Sequence, residues 1–355
     1  MSVPFPLNLS LSEADYDNLC TSYANTVFYT PFQLVWLINA ILSITAIFTC
    51  TYFVKTYIWN STFHFNFKLL ITMYFFAALF HSILYTASYS LLVERLLNYR
   101  EPCDVILPKE RYTIIHSLIG CCLMCGMFTE VFMVIERVYA TINVQTYEFS
   151  NSICHVITYV FFSILLPISL LIWAYEEADF SYPVISATSP PRGVEIRLNV
   201  LFIAAFMMAV AALILLRIIK HINTKHEHNS SLSLSGRYQI LENIYTTKFI
   251  TSILLNNMII AVIYITGTFI LRNVEFEIFK DKEPLLATLK GFFYLHPFFS
   301  FLLPLISSWH LNQIKKERLK RSERILQLKT KGREGSDAYN QLLNDQWSQQ
   351  YFVKA

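Results

Sequence analysis

The chain has 355 residues, of which 54% are hydrophobic, 15% aromatic and 15% charged, with a formal net charge of +3. Soluble domains carry about 25% charged residues, and the mean hydropathy here is +0.42. That balance excludes an ordinary soluble domain. The basic residues sit in loops beside apolar blocks, so a small positive charge gives no ground for nucleic-acid binding.

Taken in order, residues 1–29 form a short polar tail without Lys or Arg, carrying Glu13, Asp15 and Asp17. Asn8-Leu9-Ser10 is an acceptor triplet for N-glycosylation. Seven apolar blocks follow, each long enough to cross a hydrocarbon core of about 30 Å as a helix. They are Thr30–Val54, Leu69–Leu92, Thr113–Ile135, Ile153–Ala174, Leu198–Ile219, Phe249–Leu271 and Leu289–Trp309. With the N-terminus outside, 18 of the 28 Lys and Arg residues fall in inner segments, as the positive-inside rule requires. The predicted fold is an all-α, seven-helix membrane bundle with a cytoplasmic C-terminus. Its parts are an extracellular tail (1–29), the seven-span domain (30–309), a short amphipathic helix (310–331) on the inner leaflet, and a disordered tail (332–355).

Within the second span, His81 is a lone intramembrane histidine, which faces the bundle and bonds a neighbour. The third span contains Glu130, the only acid inside any predicted span, which needs a polar partner such as Asn256 or Asn257 of the sixth. Glu136-Arg137 then appear together where the apolar run stops. They read either as a helix end, with Arg137 snorkelling into headgroups, or as a latch between two packings. Cys121, Cys122 and Cys125 read as packing residues rather than metal ligands. Cys20 and Cys103 are the two cysteines on the outer side, and a disulfide between them is expected. Pro167 predicts a kink in the fourth span. The second outer loop, from Tyr175 to Arg197, reads as irregular. Arg237 to Lys248 reads as a helix feeding the sixth span, capped by Ser235. In the seventh span, His296-Pro297 and Pro304 interrupt the hydrogen-bond ladder.

Several stretches together resemble the nematode serpentine chemoreceptors of the superfamily containing classes alpha, alpha-beta, beta and epsilon. They are Phe63-His64-Phe65-Asn66-Phe67-Lys68, Cys103-Asp104, Glu136-Arg137-Val138-Tyr139-Ala140-Thr141, Tyr147-Glu148, Leu234-Ser235-Gly236-Arg237-Tyr238-Gln239 and Glu242-Asn243. Class alpha-beta is the nearest by this reading, with epsilon next. The resemblance implies a G-protein-coupled receptor in the plasma membrane of sensory neurons, responding to environmental chemicals. Its partners would be a small-molecule ligand, a heterotrimeric G protein and the bilayer. Where rhodopsin-like receptors carry Tyr after the acid–Arg pair, Val138 stands here, and the seventh span has His296-Pro297 in place of Asn-Pro-x-x-Tyr.

A pocket is expected among the outer halves of the spans, lined by Tyr85, Tyr89, His116, Tyr264 and Tyr294. The expected switch is Arg137, held by Glu136 or Glu242, with Arg237 and Tyr238 in the coupling segment. A transporter or channel is the second reading, opposed by few glycines and by the absence of detectable internal repeats. No His-Glu-x-x-His or Gly-x-Gly-Asp motif occurs, so neither catalysis nor a cofactor is expected.

Overall fold

The computed structural model describes residues 13–144, 146–147, 153–227, 234–279, 282–330, 336 and 339–340. Among them are nine α-helices: α1 (Glu13–Phe28), α2 (Thr30–Phe53), α3 (Phe65–Leu97), α4 (Lys109–Ile142), α5 (Ile153–Tyr175), α6 (Glu195–Glu227), α7 (Leu234–Ile278), α8 (Glu283–Phe293) and α9 (His296–Thr330). Seven helical segments are long and apolar enough to cross a membrane, the third running Pro102–Ile142 and the seventh Glu283–Glu323. Six of the seven predicted blocks lie inside them, and the fourth begins one residue earlier, at Ile153. The helices overrun the blocks because hydropathy marks only the stretch in hydrocarbon, while helical hydrogen bonding continues into the headgroup layer. Many apolar side chains face outward, among them Phe48, Ile172, Ile203 and Met207. In water such a surface would be an aggregation hazard, whereas in a bilayer it is the solvated face.

The chain divides into two compact units, Met1–Ser307 and Ser308–Ala355. In the first, α4 is the central helix and packs on α3, α5, α6 and α7; α2 packs on α3 and α8, and α6 on α7. In the second, residues 308–330 are helical, with no break between 309 and 310. The amphipathic segment expected as a separate helix is therefore the continuation of α9. The predicted disordered tail lies almost entirely outside the described residues, as does Asn8.

The N-terminal tail, read from sequence as short and polar, contains α1. Cys20, Ala24 and Val27 are buried on one face, spaced as one stripe of a helix. A disulfide joins Cys20 to Cys103, with Cα atoms 4.7 Å apart. It fixes α1 to a short 3-10 turn, Pro102–Val105, whose start is held by Asp104: its carboxylate accepts from the backbone N–H groups of Arg100 and Glu101, each at 2.9 Å. Helix α1 also packs on α8.

The second outer loop is irregular, as expected, but it is pinned at several points. Leu107 N–H donates to the Val184 carbonyl at 2.8 Å, and Tyr23 Oη to Pro183 O at 3.1 Å. Gly193 turns the loop back with φ +87°, and a Cβ there would lie 2.8 Å from the Glu177 carbonyl. No L-residue side chain fits that backbone.

Helix α7 begins at Leu234, so Ser235 lies in its first turn rather than capping it. Pro167 and Pro304 lie inside α5 and α9. At His296-Pro297 the chain does break: α8 ends at Phe293 and α9 starts at His296. Pro297 lacks an N–H and its ring clashes with a preceding helical turn, which makes it a helix starter and not a helix interior.

Candidate functional site

At the inner end of α4 the Arg137 side chain is 0% exposed. It does not snorkel to the headgroups. All three guanidinium nitrogens donate. Nε and Nη2 go to the two oxygens of Glu136, Nη1 to Asn243 Oδ1 on α7 at 3.0 Å, and Nη2 also to Tyr147 Oη at 3.3 Å. The Phe67 ring covers the guanidinium at 5.3 Å. Tyr147, in the second inner loop, donates its hydroxyl to Glu136 and stands 3.1 Å from His64 Nδ1. Burial, then the Glu136 carboxylate, hold the Tyr147 hydroxyl above the usual phenol range, so it remains a proton donor. Asn243 completes the cluster by donating from Nδ2 to the Ala140 carbonyl at 3.2 Å.

A buried ion pair is stable only when its remaining donors and acceptors are also satisfied. Glu136 lies beside Arg137 on α4, and the long side chains fold back onto each other. The other predicted acid, Glu242, is buried on α7 and accepts from the His64 backbone N–H at 2.6 Å. That bond ties α7 to the start of α3. Arg237 and Tyr238 are exposed near the start of α7. Asn223 of α6 donates to Thr141 Oγ1 at 3.0 Å, adding a second polar tie to the inner end of α4.

Two turns above Arg137, about 10 Å at 1.5 Å per residue, Glu130 is buried. It accepts from Tyr74 Oη on α3 at 2.5 Å and from Asn257 Nδ2 on α7, 3.0 Å from both oxygens. The carboxylate borders a partly open cavity of about 170 Å³ lined by α3, α4, α6, α7 and the break between α8 and α9. Of the five residues predicted for the pocket, Tyr264 and Tyr294 line this space. Tyr85 instead stacks between Trp36 and Tyr294, with ring centroids 5.6 and 5.7 Å away. Tyr89 packs against the same cluster. His116 is taken up by the outer closure: Nδ1 lies 2.8 Å from the Ala187 carbonyl and Nε2 2.9 Å from Tyr175 Oη. A carbonyl only accepts, so Nδ1 carries the proton and Nε2 accepts from the tyrosine. The cavity therefore lies deeper than the outer halves of the spans.

A family model described as serpentine type 7TM GPCR receptor class ab chemoreceptor matches residues 18–348. The chain belongs to this serpentine chemoreceptor family. Serpentine receptor class beta-16 of Caenorhabditis elegans is 58% identical over 336 residues, covering 95% of this chain and 98% of the relative. Class beta-17 of the same organism is 27% identical over 93% of this chain and 91% of its own length. Class beta-11 is 24% identical, with 93% and 94% covered. The superfamily is the expected one, but the expected class, alpha-beta nearest and epsilon next, is not: these relatives carry class beta names.

As a serpentine receptor the chain is a multi-pass membrane protein, and its motif residues take on a spatial meaning. His64 and Phe67 enter from α3, Glu136 and Arg137 from α4, Tyr147 from the second inner loop, and Glu242 and Asn243 from α7. Four segments meet around one guanidinium. The contributions of Tyr147, His64 and Asn243 were not recognised from sequence reasoning about charge. The signal that could have found them was their presence in the quoted fragments, each carrying a polar side chain at the inner edge of a span.

Proposed function

We propose that this serpentine receptor binds a small molecule in the cavity beside Glu130 and activates a heterotrimeric G protein through rearrangement around Arg137. The observation that carries the reading is the fully buried Arg137, paired with Glu136 on its own helix and bonded across to Asn243 on α7. A charge stored out of water with a polar tie to the next moving element is what a two-state latch needs. In the active packing α7 moves away at its inner end, Arg137 meets the G protein, and the exposed segment with Arg237 and Tyr238 borders the same face. Glu242 steadies the entry of α3, and its negative charge also acts on Arg137. The relative at 58% identity favours the class beta branch. A tail without Lys or Arg, and the basic inner segments, support an extracellular N-terminus and a cytoplasmic C-terminus in the plasma membrane of sensory neurons.

The test is basal G-protein activation in cells expressing full-length receptor, normalised to surface protein. Glu136→Gln is expected to raise basal activity, because the unpaired Arg137 gains more from the open packing. Arg137→Ala is expected to abolish signalling at unchanged surface level. Wild-type coupling in Arg137→Ala would return the pair to a purely structural role.

A further inference from the structure

The Glu130 carboxylate accepts three hydrogen bonds, all from the neutral donors Tyr74 and Asn257, and no cation among the described residues bonds to it. Neutral donors satisfy lone pairs but leave charge uncompensated, which is costly in a low-dielectric bundle. The same cavity contains a second buried polar atom. His296 lines it, and its buried Nε2 has no hydrogen-bond partner among the described residues. The remaining walls are mostly aliphatic, including Met258 and Ala261, with Phe206, Tyr264 and Tyr294 among the aromatic rings beside them. Volume limits what fits. An apolar cavity of about 150 Å³ accommodates benzene, so about 170 Å³ admits a compact ring with one short substituent.

We propose that this cavity binds a small primary amine whose ammonium group donates to Glu130 while its ring or short chain occupies the apolar walls. A primary ammonium carries three N–H donors and no acceptor, the complement of a carboxylate. An anionic ligand of the same size is rejected by Glu130, and a neutral isostere gains the wall contacts without the charge pairing. The inference rests on the ligand-receptor reading above and specifies its ligand class.

The experiment uses purified full-length receptor in lipid nanodiscs and needs no G protein. Thermal shift and equilibrium binding are measured with benzylamine, benzyl alcohol and benzoate. Benzylamine is expected to bind most tightly, benzyl alcohol about tenfold or more weakly, as a lost charge-assisted hydrogen bond implies, and benzoate not at all. Glu130→Gln is expected to bring benzylamine down to the level of benzyl alcohol while leaving the alcohol unchanged. Ala261→Phe, which fills the space with Glu130 intact, is expected to remove both. Equal binding of benzoate and benzylamine to the wild type overturns the proposal even if Glu130→Gln does not fold, and so does benzylamine binding that survives Ala261→Phe. Amine binding without activation of any G protein would leave this inference standing and count against the signalling reading instead.

Discussion

Asn243→Ala isolates the tie between the third and sixth spans. The Asn243 amide makes two bonds to α4, accepting from Arg137 at 3.0 Å and donating to the Ala140 carbonyl at 3.2 Å. A hydrogen bond to a charged group contributes about 1.5–3 kcal/mol and a neutral one about 0.5–1.5 kcal/mol. Both are lost when α7 leaves, so both favour the resting packing. Relaxation around the truncated side chain reduces their combined effect, which leaves roughly 2 kcal/mol. At 1.4 kcal/mol per tenfold, that is about a 30-fold change in the equilibrium between packings. A receptor active about 1% of the time without ligand would become active about 20% of the time. The assay is basal nucleotide exchange on a co-expressed heterotrimer, normalised to surface receptor. Glu136→Gln is the contrast. It leaves the cross-helix bond in place but strands a buried charge, so it should lower surface expression as well as raise basal exchange. Basal exchange in Asn243→Ala within about twofold of wild type, at equal surface level, would refute the reasoning.

Three further outcomes follow from the same structure. Removing the Cys20–Cys103 bond, which spans 83 residues, should cost about 4–5 kcal/mol in the chain-entropy model. Cys20→Ser should therefore lower the melting temperature of solubilised receptor, and an unchanged value would mean that α1 is held by packing alone. A Cβ on Gly267 would overlap the Phe293 ring, so Gly267→Ala should destabilise by about 1–3 kcal/mol, read as a lower unfolding midpoint, while Phe293→Ala in the same background should restore tolerance. An epitope tag at residue 2 should stain intact cells; staining that needs permeabilisation reverses the topology.

The spans were legible because a bilayer demands about 20 apolar residues per crossing, a pattern that survives without any tertiary information. The break at His296-Pro297 was legible for a similarly local reason, the missing proline N–H. Helix α1 was not, because a polar composition masked Cys20, Ala24 and Val27, whose spacing matters only once α8 and the Cys103 turn are present to cover them. At the site, an acid inside a span had to find donors, which pointed to Asn257. Tyr74 stayed hidden, since one tyrosine among many apolar neighbours on α3 carries no mark of its direction. The depth of the cavity was equally hidden. Tyr85 and His116 looked like pocket walls until Trp36 and the Ala187 carbonyl were seen to occupy them.

The interruption at Tyr294 and Leu295 turns the seventh span into two rods with a joint. An unbroken helix resists bending because curvature stretches its ladder of hydrogen bonds. Here the ladder already stops, and Leu295 N–H turns back to the Phe293 carbonyl at 2.8 Å, so rotation about the few dihedrals of the joint opposes no helical bond. The outer rod is fixed, with Asn39 of α2 donating to the Gly291 carbonyl at 3.3 Å and Ser22 of α1 donating to Glu283. Tyr294, Leu295 and His296 all border the cavity. A molecule seated there would lean on the bearing itself, with the outer rod acting as stator and residues 296–307, packed against α2 and α3, as the arm. Small displacements at the wall are geared up along that arm, so a ligand of only a few heavy atoms has the leverage to change the inner face.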